Sequence, residues 1–201
     1  MSRQPFPVHD RRVKRWGWVL ILVALVVLSG VVHGQDTGVR EIKIPYALSW
    51  GDSAEKIRDM INAVKAHETA DSETSPGKVV IEAEGLGVGD PLLKKSLFTF
   101  RDGSLVEVEL QYVDETWDGD KSIDFFDRTR RRIDDRYGAG ILMVNRVKDH
   151  PTDDPTIPAD LNYTMIVYRW AQPMVALELN FYSMEEKERA FRIVSLHYKT
   201  P

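Results

Sequence analysis

Apolar residues follow three rhythms along this chain of 201 residues, and each predicts a different kind of element. The first is an unbroken run, Trp16–Val32, WGWVLILVALVVLSGVV, placed directly after Arg11, Arg12, Lys14 and Arg15. At about 1.5 Å per residue, its 17 residues make a helix of roughly 26 Å, close to a ~30 Å hydrocarbon core. In lipid a single chain segment must satisfy its own backbone, so a helix is the expected conformer. The second rhythm is helical. Ile57, Met60, Ile61 and Val64 fall at i, i+3, i+4 and i+7, which predicts a helix from the capping box Asp52-Ser53-Ala54-Glu55 to about Ala66. Ile123, Phe126, Ile133 and Tyr137 make the stripe of a second helix, Ser122–Tyr137, closed by Gly138.

The third rhythm is alternation. Val106, Val108, Leu110 and Tyr112 share one face of a strand, and Glu107, Glu109 and Gln111 share the other. Asp102-Gly103 is a tight-turn pair that joins this strand, Ser104–Val113, to Lys95–Phe100. Lys78–Ala83, Gly140–Val147, Leu161–Trp170, Met174–Tyr182 and Ala190–Tyr198 read as further strands, and Arg40–Tyr46 as a short edge strand stopped by Pro45. His67–Gly77, Lys148–Asp160 and the charged Met184–Arg189 have no apolar rhythm and read as loops and a turn. One dry face and one wet face per strand is the habit of antiparallel sheets. The expected fold is therefore α+β, with two helices on one face of an antiparallel sheet after an N-terminal transmembrane or signal helix. The helices begin about 70 residues apart and strands follow each, an order that also fits a diverged tandem helix–sheet repeat.

Charge then assigns sides. As a retained anchor, the apolar run carries Trp16 and Trp18 at an interfacial aromatic position. As a cleaved signal, Val32-His33-Gly34 precedes Gln35 as the new N-terminus. A third reading makes the run a buried helix of a soluble domain. The first two leave the basic flank inside and place the remainder outside the cytoplasm. The expected organisation is a basic cytoplasmic tail at 1–15, an anchor or signal at 16–34, a linker and edge strand at 35–44, and an extracytoplasmic domain at 45–201. Residues 1–34 hold five Lys/Arg against Asp10 alone, which leaves 22 Lys/Arg against 30 Asp/Glu in residues 35–201, a balance of −8. An acidic domain of that kind argues against nucleic acid as a partner. The absence of cysteine excludes disulfides and thiolate metal sites.

The motifs that carry chemistry are sparse. Gly85-Leu86-Gly87-Val88-Gly89-Asp90-Pro91 lacks the GK[ST] of a phosphate loop and leads into a strand. Asp114, Thr116, Asp118 and Gly119 start a calcium-loop pattern, but Phe125 stands at the twelfth position, where a bidentate Glu belongs. A looser calcium site over Asp114–Asp120 stays open. Arg128 and Arg130–Arg132 could bind an anion, but Asp124, Asp127 and Asp134 at four-residue spacing favour a salt-laced helix surface. His9, His33, His67, His150 and His197 show no metal-ligand spacing. Glu107 and Glu109 could serve as an acid/base pair; a solvated sheet face is the plainer account. Trp117, Trp170, Phe181, Tyr182 and Tyr198 could line a binding surface, though core and edge packing accounts for most of them.

Leu48-Ser49-Trp50-Gly51-Asp52-Ser53 leading into the first helix, the hairpin Phe98-Thr99-Phe100-Arg101-Asp102-Gly103-Ser104-Leu105, and the Tyr137-Gly138 helix close together resemble the BamE-like and β-lactamase-inhibitor-protein-like exported domains. The resemblance covers about 45–145. The lipid-modified cysteine usual in that family has no counterpart here. What the resemblance implies is a helix-on-sheet module that binds proteins at the cell envelope without catalysis. The expectations are thus a membrane-anchored periplasmic domain, or a secreted one after cleavage. Its partners would be the bilayer, through Trp16–Val32, and a protein; no catalytic residue, cofactor or metal is assigned. The alternative is a small-ligand-binding or hydrolytic domain using the acidic sheet face.

Overall fold

The computed structural model describes residues 40–87, 89–148, 161–186 and 189–201. The expected basic tail, the apolar run Trp16–Val32 and the linker up to Val39 lie outside the described residues, as do Val88 and most of the expected loop Lys148–Asp160. Among the described residues, no helix is long and apolar enough to cross a membrane.

The first helix, α1 (Ala54–Ala63), buries Ile57 and Ile61 as its periodicity predicts. Its cap sits one residue later than expected. Ser53, not Asp52, accepts from the Lys56 amide, at 3.4 Å. The Asp52 carboxylate is held instead by the Ser49 amide and the Lys56 ammonium, each at 2.8 Å. The helix also stops before Ala66, because Lys65 takes a left-handed φ of 58°. The amides of Lys65 and Ala66 then donate back to Asn62 and Ile61 at 3.1 and 3.0 Å, a Schellman closure that satisfies the last carbonyls.

The chain continues into β1 (His67–Ser75), β2 (Lys78–Glu84), β3 (Leu93–Arg101) and β4 (Ser104–Tyr112). The strand β1 corrects the expected loop at His67–Gly77. It is the edge of the sheet and pairs only with β2, so its polar side chains remain wet on both sides and no alternation marks it. Arg58 of α1 reaches across to Glu68 and Asp71, which fixes the helix to this edge. Asp102 and Gly103, at φ 50° and 78°, make the expected tight turn between β3 and β4.

The second helix, α2 (Gly119–Tyr137), starts three residues before Ser122 because Asp118 caps it, accepting from the Lys121 amide at 2.8 Å. It buries Ser122, Phe126 and Ile133 and ends at Gly138, φ 86°. Four strands follow: β5 (Ile141–Lys148), β6 (Leu161–Gln172), β7 (Val175–Glu186) and β8 (Arg189–Lys199). Within the expected charged turn, Met184–Glu186 continue β7 and Arg189 opens β8, with pairing from Met184 opposite Phe191 out to Glu186 opposite Arg189.

All eight strands form one antiparallel sheet in the order β1-β2-β3-β4-β8-β7-β6-β5. Each set of four follows one helix in the chain, and β4 joins the sets by pairing with β8. Register sorts the side chains onto two faces. Ile81 opposes Phe98, Phe98 opposes Val108, and Leu110 opposes Leu196, which opposes Leu179. These residues form one buried cluster with Ile57 and Ile61 of α1 and Phe126 and Ile133 of α2. Phe126 stands 5.7 Å from the ring of Phe181 and 6.2 Å from that of Tyr168. The Trp170 indole donates to the Gly138 carbonyl at 2.9 Å, tying the end of α2 to β6. Gly140 is obligatory beside it: a Cβ there would lie 2.5 Å from the indole ring.

Arg40–Tyr46 is not a strand. Ile42 is nevertheless buried, and the Gln172 side chain plays the partner, accepting from the Ile42 amide and donating to the Arg40 carbonyl at 2.8 Å each. Pro45 ends the extended stretch in a 3-10 turn, Pro45–Ala47.

Candidate functional site

The other face of the same strands carries no helix among the described residues, and its centre is a polar cluster. Register builds it. Glu107 stands opposite Lys199, Glu109 opposite His197, and Gln111 opposite Ser195. On the far side of β8, His197 faces Glu178 and Ser195 faces Asn180; Glu178 in turn faces Arg169 on β6. A row of alternately signed groups therefore crosses β4, β8, β7 and β6.

The distances are short. His197 Nδ1 lies 2.9 Å from Glu107 Oε1, and its Nε2 lies 2.9 Å from Ser195 Oγ and 3.4 Å from Glu109 Oε1. Gln111 donates to Glu109 at 2.7 Å. Lys199 Nζ donates to Glu178 at 2.7 Å and sits 3.7 Å from Glu107, while Arg169 Nε is 3.9 Å from Glu178. Because a carboxylate only accepts, the Nδ1 proton of neutral His197 goes to Glu107, and Nε2 accepts from the Ser195 hydroxyl.

Charge states follow from this packing. Burial pushes the Glu107 carboxyl up, but the His197 hydrogen bond and the charges of Lys199, His197 and Lys78 outweigh it and hold the group below the usual carboxylate range. Burial alone would lower Lys199; the bond to Glu178 and the charge of Glu107 reverse that and raise it. On the dry face, burial pushes the Tyr198 phenol up to about 12, so it remains protonated at any physiological pH.

Of the expected acid/base pair, both carboxylates are here, with His197 lying between them and contacting each. Ser195, His197 and Glu107 have the spacing of a nucleophile, base and orienting carboxylate. The setting differs from an acyl-transfer site in one respect. The strand β8 is paired on both sides, with β4 and β7, so its amides are spent on the ladders and none beside Ser195 is free to serve an oxyanion. What the cluster plainly does is hold opposite charges together. Sequence reasoning weighed His197 only as a metal ligand and set it aside, and it missed Ser195 and Lys199. Their signal was the polar half of β8's alternation, against Val194, Leu196 and Tyr198.

The same face continues into an apolar patch. Met165 opposes Tyr182, Tyr182 opposes Ile193, and Met184 opposes Phe191. Phe191 is 47% exposed and Met165 36%. Of the expected aromatic surface, only Tyr182 falls here. Trp117 packs at a tilt against Phe125, ring centroids 5.0 Å apart, and Trp170, Phe181 and Tyr198 belong to the dry side.

The remaining sequence expectations resolve locally. Asp114 closes a turn, accepting from the Thr116 amide and hydroxyl at 2.8 and 2.7 Å, and Asp118 caps α2. Both carboxyls are held below their ordinary range by these bonds, chiefly the Thr116 hydroxyl for Asp114 and the Lys121 amide for Asp118. Among the described residues no group of three His, Asp or Glu is placed to hold a metal. Gly87 packs its missing side chain against Leu93, where a Cβ would come within 2.9 Å, so the glycine run serves the β2–β3 connection. Arg128 pairs with Asp124 at 3.2 Å and Arg130 with Asp134 at 2.6 Å; Asp127 pairs with Arg130 rather than Arg131. No protein-family model, curated protein or solved structure matches this chain.

Proposed function

We propose that this chain is a non-catalytic, membrane-anchored domain outside the cytoplasm that binds another protein through the helix-free face of its sheet. One observation carries the reading: a polar cluster around His197 lies beside the Met165, Tyr182, Ile193 and Phe191 patch on one sheet face that carries no helix among the described residues. Aromatic and methionine side chains next to hydrogen-bonded polar groups suit a protein interface, where a few anchors supply most of the affinity. The apolar run after a basic flank supports export and anchoring. Two helix-led sets of four strands, joined edge to edge, support a diverged tandem repeat of the kind the BamE-like and β-lactamase-inhibitor-protein-like resemblance implies.

The test has two arms. A periplasm-dependent reporter fused after Pro201 is expected to be active; activity confined to a cytoplasmic reporter overturns the placement. Affinity purification from detergent-solubilised membranes is then compared between the wild type and Tyr182→Glu/Phe191→Asp. A co-purifying protein lost from the double variant, at unchanged melting temperature, is the expected outcome; an identical set of partners rules this face out.

The spacing of Ser195, His197 and Glu107 favours a second reading, a hydrolytic domain. Labelling by a fluorophosphonate probe that disappears in Ser195→Ala would establish it. No labelling of the folded wild-type chain counts against it.

A further inference from the structure

Every sheet that does not close has two edges, and the two in this molecule are chemically opposite. The edge β1 presents Glu68, Asp71 and Glu73 along an exposed, polar strand, a composition that repels a further strand. The edge β5 presents Ile141, Leu142, Met143 and Val147, which are 67%, 47%, 52% and 56% exposed. It ends the sheet beyond β6, so one side of its backbone has no ladder partner among the described residues. An edge that is both apolar and unpaired is a template for strand addition.

We propose that β5 pairs with β5 of a second copy of this chain, antiparallel, to make one continuous sheet across a two-fold axis. Its own composition selects the occupant. The incoming strand must bring apolar side chains to cover those of β5, and a second β5 brings Met143 and Val147, which face each other across the axis. The other edge, β1, offers only Ala70 of that kind, so head-to-tail stacking of β1 on β5 leaves the apolar set in water. Charge permits the self-pair. Centred on Asn145, it sets Arg146 against Val144, Met143 against Val147, and Lys148 against Leu142 of the second copy, so no cation meets a cation. The irregularity of β5 lies between Leu142 and Val144, so Val144–Arg146 pair across the axis in unbroken register and the Met143–Val147 pairs flank them at the irregularity. A single strand pair lies at the small end of specific interfaces, below about 1,200 Å², so a weak dimer is expected and a covalent trap is the suitable readout.

The chain has no cysteine, so one introduced thiol reports one position. In the full-length protein in mild detergent, Asn145→Cys is expected to give a disulfide-linked dimer on gentle oxidation, since residues facing each other across an antiparallel pair approach within bonding reach of a disulfide. Ser72→Cys on β1 is the control and is expected to stay monomeric. Adding Leu142→Lys/Val147→Lys to Asn145→Cys should abolish the dimer while leaving the melting temperature within a few degrees, because both residues are exposed. Equal cross-linking from Ser72 and Asn145, no cross-linking from Asn145 in a folded chain, or a cross-link to a different protein each overturns the proposal. Because the readout lies on the sheet edge, it succeeds or fails independently of partner binding on the helix-free face.

Discussion

The two faces of this sheet are built by the same strands, residue by residue in alternation, yet they do opposite work. On β8, Val194, Leu196 and Tyr198 enter the dry cluster under the helices, while Ser195, His197 and Lys199 line the polar one. On β4, Val108 and Leu110 face the core, and Glu107 and Glu109 the cluster. The dry face is held by close contact among large side chains. The polar face is held by hydrogen bonds between groups that water could also satisfy. Loss of a core side chain leaves a cavity that no solvent fills well, whereas loss of one polar group here lets water in. Stability should therefore reside on one face, and the other should be free for recognition.

Substitutions can break that contrast. Phe126→Ala, on the dry side, is expected to lower stability by about 3–5 kcal/mol in chemical denaturation; a loss under ~1 kcal/mol would mean that α2 does not pack on Tyr168 and Phe181. Gly140→Ala forces a methyl into the Trp170 indole, a change worth about 1–3 kcal/mol of overpacking, visible as a lower melting temperature. On the polar side, His197→Ala removes a group bonded to Ser195 and Glu107 and near Glu109, yet about 1–2 kcal/mol is the expected loss, because these groups keep some access to water. A value matching that of Phe126→Ala would erase the distinction between the faces.

The smallest effect is a pH dependence. The Glu107 carboxyl is held below its ordinary value near 4.5, so its contribution is present above that pH and is lost as pH falls through the lower folded-state value. The stability difference between wild type and Glu107→Gln should shrink on acidification below pH 4.5. Lys199 has the opposite sign. Its value is raised, so its contribution is intact below the ordinary 10.5 and fades only as pH rises beyond it. A difference for Glu107→Gln that grows on acidification would contradict the bonding described for His197.

Legibility in the sequence followed burial on one side. The stripe of α1 and the alternation of β4 were readable because each has one dry and one wet side, and the Asp102-Gly103 turn because its left-handed dihedrals favour these residues. The strand β1 was not: HETADSETS is wet on both sides and held by backbone pairing with β2, a force that leaves no pattern in side chains. Met184–Glu186 was unreadable for a related reason, since strand pairing runs on past the sequence's clear alternation. At the site, Glu107 and Glu109 were visible as two carboxylates on one face. Their partners were 90 and 88 positions away in the chain and invisible to any local period.

By itself the amino-acid sequence determined the local elements, the wet and dry side of most strands, the absence of disulfide chemistry, and an apolar run after a basic flank. Tertiary structure alone decided that β4 lies beside β8 rather than beside β5, and with it which carboxylates meet which histidine. The reason is physical. Periodicity records what each residue does with water, which is a local property, whereas strand order is set by how two helix-covered sets of strands bury their faces in one common core.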